Sequence, residues 1–158
     1  MRRYALLGAT AGALTLVVLW SLAYKTPIRQ AVDTSPNALF GGVSLTLELA
    51  TSPEARERGL AMRASIPAGY GMLFVFPKAD LYGFWMRDVQ VPLDIFWLDA
   101  QGQVVSMALE VATSTYPHVF YPREPALYVL ETAAGFVRAH QVATGTSLEL
   151  QNLPTVSK

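Results

Sequence analysis

The chain has 158 residues, which is long enough for one domain with a substantial core and too short for two ordinary domains. It carries 12 basic and 12 acidic residues, and four of the basic residues precede residue 31, so the rest of the chain is mildly acidic and nucleic-acid binding is disfavoured. The absence of cysteine excludes a disulfide framework, a thiol nucleophile, a cysteine-ligated metal and a lipid anchor on cysteine.

The first predicted element is an N-terminal apolar helix. The segment between Arg3 and Lys25 carries no charge, and a helix of that length spans about 30 Å, the thickness of the hydrocarbon layer of a bilayer. The arginines that precede it favour a cytoplasmic N-terminus and an exported remainder. Small residues at Ser21-Leu22-Ala23 also fit cleavage by a signal peptidase. Residues 1–23 are therefore predicted to be a signal peptide or a membrane anchor, with residues 4–24 in the membrane if the segment is not cleaved.

After the apolar segment, the sequence predicts a linker followed by a structured domain. Residues 24–40 contain two prolines and little periodicity, so they are predicted to be a linker, and residues 41–153 to be the exported domain. Alternating apolar and polar residues predict a half-buried strand at 43–49. Ser52-Pro53-Glu54 then has the pattern of a helix start, and the helix is expected to end near Gly59.

The rest of the chain alternates between apolar runs and turn residues. Strands are predicted at 71–76, 93–98, 103–110, 126–131 and 147–151, with a short helix around 135–141. Short strands with closely spaced turns predict a mainly β domain. We expect a sandwich-like structure or a partly closed barrel of short antiparallel strands, with one or two short helices, preceded by the N-terminal apolar helix.

Two acidic residues occupy apolar strands. Asp94 lies within the run 93–98, and Glu131 follows the run 127–130. An isolated carboxylate in such surroundings is costly, so each should be paired, hydrogen-bonded or protonated. We therefore expect a cluster of these carboxylates with neighbouring arginines, drawn from Arg56, Arg58, Arg63 and Arg87.

Two interpretations of this cluster remain open. In one, the ion pairs only fix how the strands and the helix dock. In the other, they line a polar cleft that grips or cleaves a ligand. If the carboxylates lie near one another, Asp94 and Glu131 are candidates for the general acid and base of a hydrolase.

Trp85 and Arg87 form a second candidate pair. In an extended strand they share one face, so that an aromatic plane stands beside a guanidinium, which suits stacking on a sugar or holding an anion. Alternatively, Trp85 fills the rim of the core and Arg87 pairs with a local acid. The aromatic residues of 113–125 would form a recognition surface or cap an open end of the core. His118 and His140 lack metal-ligand spacing, and no nucleotide or serine-nucleophile motif is present, so no metal or cofactor is expected.

Three segments together resemble the domain-of-unknown-function 192 family, which comprises small, often exported or membrane-attached bacterial and archaeal proteins. They are residues 47–63 followed by Gly71-Met72-Leu73-Phe74-Val75-Phe76-Pro77; Phe84-Trp85-Met86-Arg87 with Pro92-Leu93-Asp94; and Ala126-Leu127-Tyr128-Val129-Leu130-Glu131 with Ala134-Gly135. The resemblance covers about residues 43–150. It implies a mainly β, sandwich-like domain but no activity. By position it implies a polar set of six candidate ligand-binding residues: Arg58, Arg63, Trp85, Arg87, Asp94 and Glu131.

The leading hypothesis is a non-catalytic binding or accessory domain of the cell envelope, in the periplasm or on the outer face of the membrane. Its expected partners are the membrane and an envelope carbohydrate, peptide or protein, and not nucleic acid. The rival hypothesis is a hydrolase of an envelope carbohydrate or related polymer that uses Asp94 and Glu131. A third is a tethered structural partner of another membrane protein.

Overall fold

The computed structural model describes residues 35–151, which form a mainly β domain. The predicted N-terminal apolar helix, and the part of the predicted linker before residue 35, lie outside the described residues. Within residues 35–151, the helices are too short to span a bilayer.

Strands dominate the described chain, with two short helices and one 3-10 turn between them. In order, the elements are β1 (Asn37–Phe40), β2 (Val43–Ala50), α1 (Pro53–Arg58), β3 (Tyr70–Asp80), β4 (Leu93–Leu98), β5 (Val104–Val111), the 3-10 turn (Thr113–Thr115), β6 (Ala126–Ala133), α2 (Phe136–His140) and β7 (Leu148–Gln151). The predicted strands and both predicted helices are confirmed. Strand β1 was not predicted, because its four residues fall inside the segment interpreted as a linker.

Helix α1 forms for the reasons that its sequence indicates. The side chain of Ser52 accepts a hydrogen bond from the backbone N–H of Ala55 at 3.1 Å, and Pro53 occupies the first turn, where no N–H is needed. Gly59 ends the helix with a φ of 50°, a conformation that glycine adopts at little cost. The next strand then begins only at Tyr70.

The strands form one sheet in the order β5-β4-β6-β3-β2-β1-β7. The expectation of antiparallel strands is wrong for one pair, since β2 and β3 run parallel. The chain between Ala50 and Tyr70 contains α1 and a long loop. This connection is long enough to carry the chain from the end of β2 back to the level at which β2 begins, as a parallel neighbour requires.

The sheet curls, so that its two outer strands meet at one end. Gln103 and Ser147 form an antiparallel bridge, and the backbone N–H of Val104 donates to the carbonyl of Thr146 at 3.0 Å. The fold is therefore a partly closed barrel, and the sandwich alternative is wrong.

The sheet carries a separate apolar layer on each face. The inner layer includes Phe40, Leu47 and Phe96, and it is completed by Val142 from beyond α2. The outer layer includes Phe74 and is covered by α1 and the loops between strands; its other large members are Leu60, Met72, Met86, Ile95 and Trp97.

Candidate functional site

The strand register places the two buried carboxylates on opposite faces of the sheet. Asp94 on β4 lies opposite Thr132 on β6, whereas Glu131 lies opposite Ile95. Cross-strand partners share a face and consecutive residues alternate between faces, so Asp94 faces the inner layer and Glu131 faces the outer one. The two carboxylates therefore do not form one site, and the predicted acid–base pair is wrong.

Asp94 is held by backbone amides rather than by arginine. Its side chain is fully buried, and one carboxylate oxygen accepts a hydrogen bond from the N–H of Glu110 at 2.7 Å. The other oxygen accepts from the N–H of Val137 at 3.1 Å, in the first turn of α2. The register of β4 and β5 shifts at this point, and Glu110 has a φ of 48°. Asp94 thus ties a β-bulge to the start of a helix, which is a structural role.

Glu131 is buried but has no such partners. Its residue is 4% exposed, and burial raises the pKa of its carboxyl group to about 8. Among residues 35–151 no hydrogen bond or ion pair engages this carboxyl group. The carboxyl group is therefore mostly protonated at neutral pH, and the expectation that arginine neutralises it is wrong.

Glu131 lies on the wall of a pocket of about 580 Å³, the volume of a small-molecule site. The pocket lies between the outer face of β3 and β6 on one side and α1 and two surface loops on the other. Its side-chain lining is mostly aromatic and cationic, with two acidic residues. The aromatic and charged members are Arg56, Glu57, Arg58, Phe74, Phe76, Tyr82, Phe84, Trp85, Arg87, Tyr121 and Glu131.

The aromatic wall is fixed by stacking and by backbone pairing. The ring of Tyr82 stacks on that of Phe76, with centroids 3.5 Å apart, and Phe84 packs edge-on against Phe74 at 4.8 Å. Phe84 also exchanges two backbone hydrogen bonds with Phe120, at 2.9 and 2.8 Å. The two covering loops are thus joined to each other and anchored on the outer layer.

Gly83 allows these loops to approach closely. A Cβ atom at Gly83 would lie 2.6 Å from Val119 and 2.7 Å from the ring of Tyr121. Any side chain at this position would displace one wall of the pocket.

The cationic wall is built on α1. One guanidinium nitrogen of Arg56, Nη1, donates to the backbone carbonyls of Thr51 at 2.6 Å and Val75 at 2.9 Å. The guanidinium also lies over the ring of Phe76, 5.2 Å from its centroid. These contacts fix the position of Arg56 without neutralising its charge.

Trp85 and Arg87 do lie side by side, as predicted. The guanidinium of Arg87 is 4.8 Å from the centroid of the Trp85 ring, although this segment is a loop and not a strand. Arg87 also forms an ion pair with Glu57 of α1. Trp85 remains 38% exposed at the rim of the pocket, where Tyr116 packs edge-on against it.

Arg63 belongs to a different cluster. It donates two hydrogen bonds to the carboxylate of Glu48, at 2.8 and 2.7 Å, and one to the hydroxyl of Tyr70 at 2.8 Å. Burial opposes ionisation of Glu48, but the hydrogen bonds from Tyr70 and Arg63 outweigh burial and lower the pKa of Glu48. This cluster ties the loop after α1 to strands β2 and β3.

The structure therefore brings together four of the six predicted site residues, Arg58, Trp85, Arg87 and Glu131, and separates Arg63 and Asp94 from them. The place of Phe76 and Tyr82 in the pocket lining was not predicted, because it depends on the loop after β3 folding back on its own strand. The alternation of aromatic residues at Tyr82 and Phe84 was the available signal.

Two aromatic residues of 113–125 lie in different places, and the one in the core agrees with the predicted capping role. Tyr121 is exposed and lines the pocket, while Phe120 packs against the outer layer. As for metals, residues 35–151 contain no group of three histidine, cysteine or acidic residues arranged to hold an ion.

Proteins of known sequence give a family but no activity. A UPF0127 protein of Thermococcus gammatolerans is 29% identical over 63% of this chain and 62% of its own length. A UPF0127 protein of Pyrococcus furiosus is 31% identical over 51% of this chain and 67% of its own length. The chain thus spans just under two thirds of the Thermococcus relative.

Two solved structures share the fold. A Sinorhizobium meliloti protein that has been proposed to be a transcription regulator superposes with a TM-score of 0.68 and 30% identity, over 75% of this chain and 93% of that one. A Novosphingobium aromaticivorans protein of unknown function superposes with a TM-score of 0.67 and 26% identity, over 72% of this chain and 83% of that one.

The profile of the DUF192 family, described as "Uncharacterized ACR", matches residues 37–150. The chain therefore belongs to the DUF192 family.

Proposed function

We propose that this chain is a non-catalytic binding module of the cell envelope and that the pocket containing Glu131 is its binding site. One observation carries the proposal: a carboxyl group that is almost fully buried opens on a pocket of small-molecule size and has no partner among residues 35–151. Among the described residues no fully buried side-chain oxygen or nitrogen lacks a partner, so the carboxyl oxygens of Glu131 reach the open space of the pocket. A ligand there would supply a hydrogen bond that the protein does not.

The rival hydrolase is not retained. Carboxyl-dependent glycoside hydrolysis needs two carboxyl groups on either side of one bond, about 5–10 Å apart. Asp94 is on the other face of the sheet, where both of its oxygens are already used by backbone amides. Glu57, the other acid of the pocket, is paired with Arg87.

The proposed location and class of partner rest on the sequence. The uncharged segment after Arg2 and Arg3 is what we propose delivers the chain to the membrane, either as an anchor or as a cleaved signal. Nucleic acid is not the proposed ligand, because residues 31–158 carry twelve acidic but only eight basic residues. Envelope carbohydrates and peptides remain the proposed ligands.

The test is a thermal-shift screen of the full chain in detergent against sugars, wall fragments and short envelope peptides. We expect at least one compound to raise the melting temperature saturably. Hydrogen exchange should then show protection of α1 and residues 81–89, with α2 on the inner face as the internal control. No response across the panel, or protection confined to α2, would contradict the proposed site.

A further inference from the structure

The ligand class can be inferred from the charges that line the pocket. Three guanidinium groups, those of Arg56, Arg58 and Arg87, face it together with one carboxylate, that of Glu57. Glu57 is paired with Arg87, so that pair is neutral. Positive charge is therefore in excess on the side of the pocket that α1 supplies.

The remaining arginines have no carboxylate to balance them among the described residues that line the pocket. Arg56 uses Nη1 on two backbone carbonyls, which leaves its other N–H groups for a further acceptor. Arg58 is exposed, and its electrostatic neighbour Glu48 already accepts two hydrogen bonds from Arg63. Both guanidinium groups therefore present N–H donors that no carboxylate of the described pocket lining engages, and such donors suit a carboxylate or a phosphate.

The carboxyl group of Glu131 adds a donor to this arrangement. In its protonated form it has one O–H to give, and an ionised oxygen of a ligand is the strongest acceptor for it. A ligand with only neutral hydroxyl groups would leave the arginines uncompensated. We propose that the pocket recognises an organic oxyanion, a carboxylate or a phosphate monoester, held by Arg56, Arg58 and the carboxyl group of Glu131. This inference rests on the proposed binding function and specifies its ligand.

The rest of the pocket fits the body of such a ligand. The stacked rings of Phe76 and Tyr82 and the exposed face of Trp85 offer flat apolar surfaces suited to a sugar ring or a peptide side chain. The site therefore combines charge recognition at α1 with stacking at the rim.

The experiment compares acids with neutral analogues of the same shape, using the full chain and isothermal titration calorimetry. The probes are glucuronate against glucuronamide, an acetylated tripeptide against its C-terminal amide, and phenyl phosphate against phenol. We expect at least one acid to bind about tenfold or more tightly than its neutral partner, the size of one charge-assisted hydrogen bond. The carboxylate and phosphate arms show which oxyanion is preferred.

Variants then locate the effect. Arg58→Gln should weaken binding of the acid about tenfold and leave binding of its neutral analogue unchanged. Arg138→Gln is the matched control: Arg138 is an exposed arginine on α2, and the same charge is lost on the other side of the sheet. It should change neither affinity.

The pH dependence adds a second readout. Binding of the acid should weaken as the pH rises above about 8, because the carboxyl group of Glu131 then loses its proton. Glu131→Gln keeps a donor and should abolish this dependence. The other titratable or charged side chains that line the pocket are Arg56, Glu57, Arg58, Tyr82, Arg87 and Tyr121, and the strand neighbours of Glu131, Met72 and Ile95, are uncharged.

The failures are distinguishable. If the neutral analogues bind as tightly as the acids, the oxyanion inference is overturned and the binding function stands. If the wider panel of sugars, wall fragments and peptides also gives no response, both are overturned. Equal losses for Arg58→Gln and Arg138→Gln would show a long-range charge effect and would overturn the assigned contact.

Discussion

The two faces of the sheet treat a buried carboxyl group in opposite ways. On the inner face, Asp94 is fully buried and accepts a hydrogen bond at each oxygen from a backbone amide. On the outer face, Glu131 is almost as buried, yet it is unpartnered among residues 35–151 and its pKa is raised to about 8. A carboxylate with protein partners stabilises the fold that surrounds it, whereas a carboxyl group without them is left to hydrogen-bond with a ligand.

The largest expected effect is on the pH dependence of stability, which should come from Glu131 on the outer face. The folded pKa of Glu131, about 8, exceeds the unfolded value of 4.5, so the folded state binds more protons between these values and stability falls as the pH rises through that window. Glu131→Gln removes this loss and should be more stable than the parent by about 3–5 kcal/mol at pH 9, with little difference at pH 4.

The measurement is urea denaturation at a series of pH values. Glu149→Gln, which changes an exposed acid on β7, serves as the control and should leave the profile of the parent unchanged. If the free energy of unfolding depends on pH in the same way for the parent and Glu131→Gln, the pKa of Glu131 is not raised in the folded protein. The contrast between the two faces of the sheet would then be wrong.

The inner face should respond in the opposite direction. Asp94→Asn replaces one acceptor with a donor and leaves the N–H of either Glu110 or Val137 unpaired, so we expect a loss of about 2–3 kcal/mol at pH 7 by urea denaturation. Asp99→Asn is the matched control, since Asp99 also accepts from two backbone amides but in an exposed turn. A stable Asp94→Asn protein that no longer binds ligand would move the site to the inner face.

The sequence made part of this comparison predictable. Alternation within each strand shows that Asp94 and Glu131 sit among apolar neighbours, and this much is confirmed. Whether the two carboxyl groups share a face depends on the register of β4 against β6. A shift of one residue changes the face, and the apolar alternation within each strand does not specify the register. Shifted by one residue, the strands would place both carboxyl groups on one face.

The partners of the buried acids were harder to predict for a related reason. Arginines are visible in the sequence, whereas a free backbone amide exists only where a bulge or a helix start creates it, as at Glu110 and Val137. Three residues of the pocket, Arg58, Trp85 and Arg87, were predicted as site residues from the sequence. The aromatic side depends on how the loop after β3 folds back, which no local pattern specifies.

A smaller effect tests whether the excluded arginine is structural. Arg63→Met removes the partner of Glu48 and Tyr70 and should cost about 1 kcal/mol, since the pair is partly exposed and screened by solvent. The lowered pKa of Glu48 contributes stability above about pH 4.5 that is lost as the pH falls, so this variant should also show a shallower loss in acid. Ligand affinity should not change, and a weakened ligand response would return Arg63 to the site.

The smallest effect is expected at the surface of the inner face. Arg138 and Glu110 form an ion pair, but their side chains are 77% and 53% exposed. Arg138→Gln should therefore change the free energy of unfolding by less than about 0.5 kcal/mol in the same denaturation assay. A larger loss would show that the support of Asp94 extends beyond its two amide donors to the side chain of Glu110.

The meeting of β5 and β7 at Gln103 and Ser147 has a consequence for how the domain behaves among its own copies. Outer strands of an open sheet present unsatisfied amides and carbonyls that can recruit a strand from another chain. Here the ends of the two outer strands satisfy each other. That end of the sheet is thereby protected from the addition of a strand from another copy of the chain.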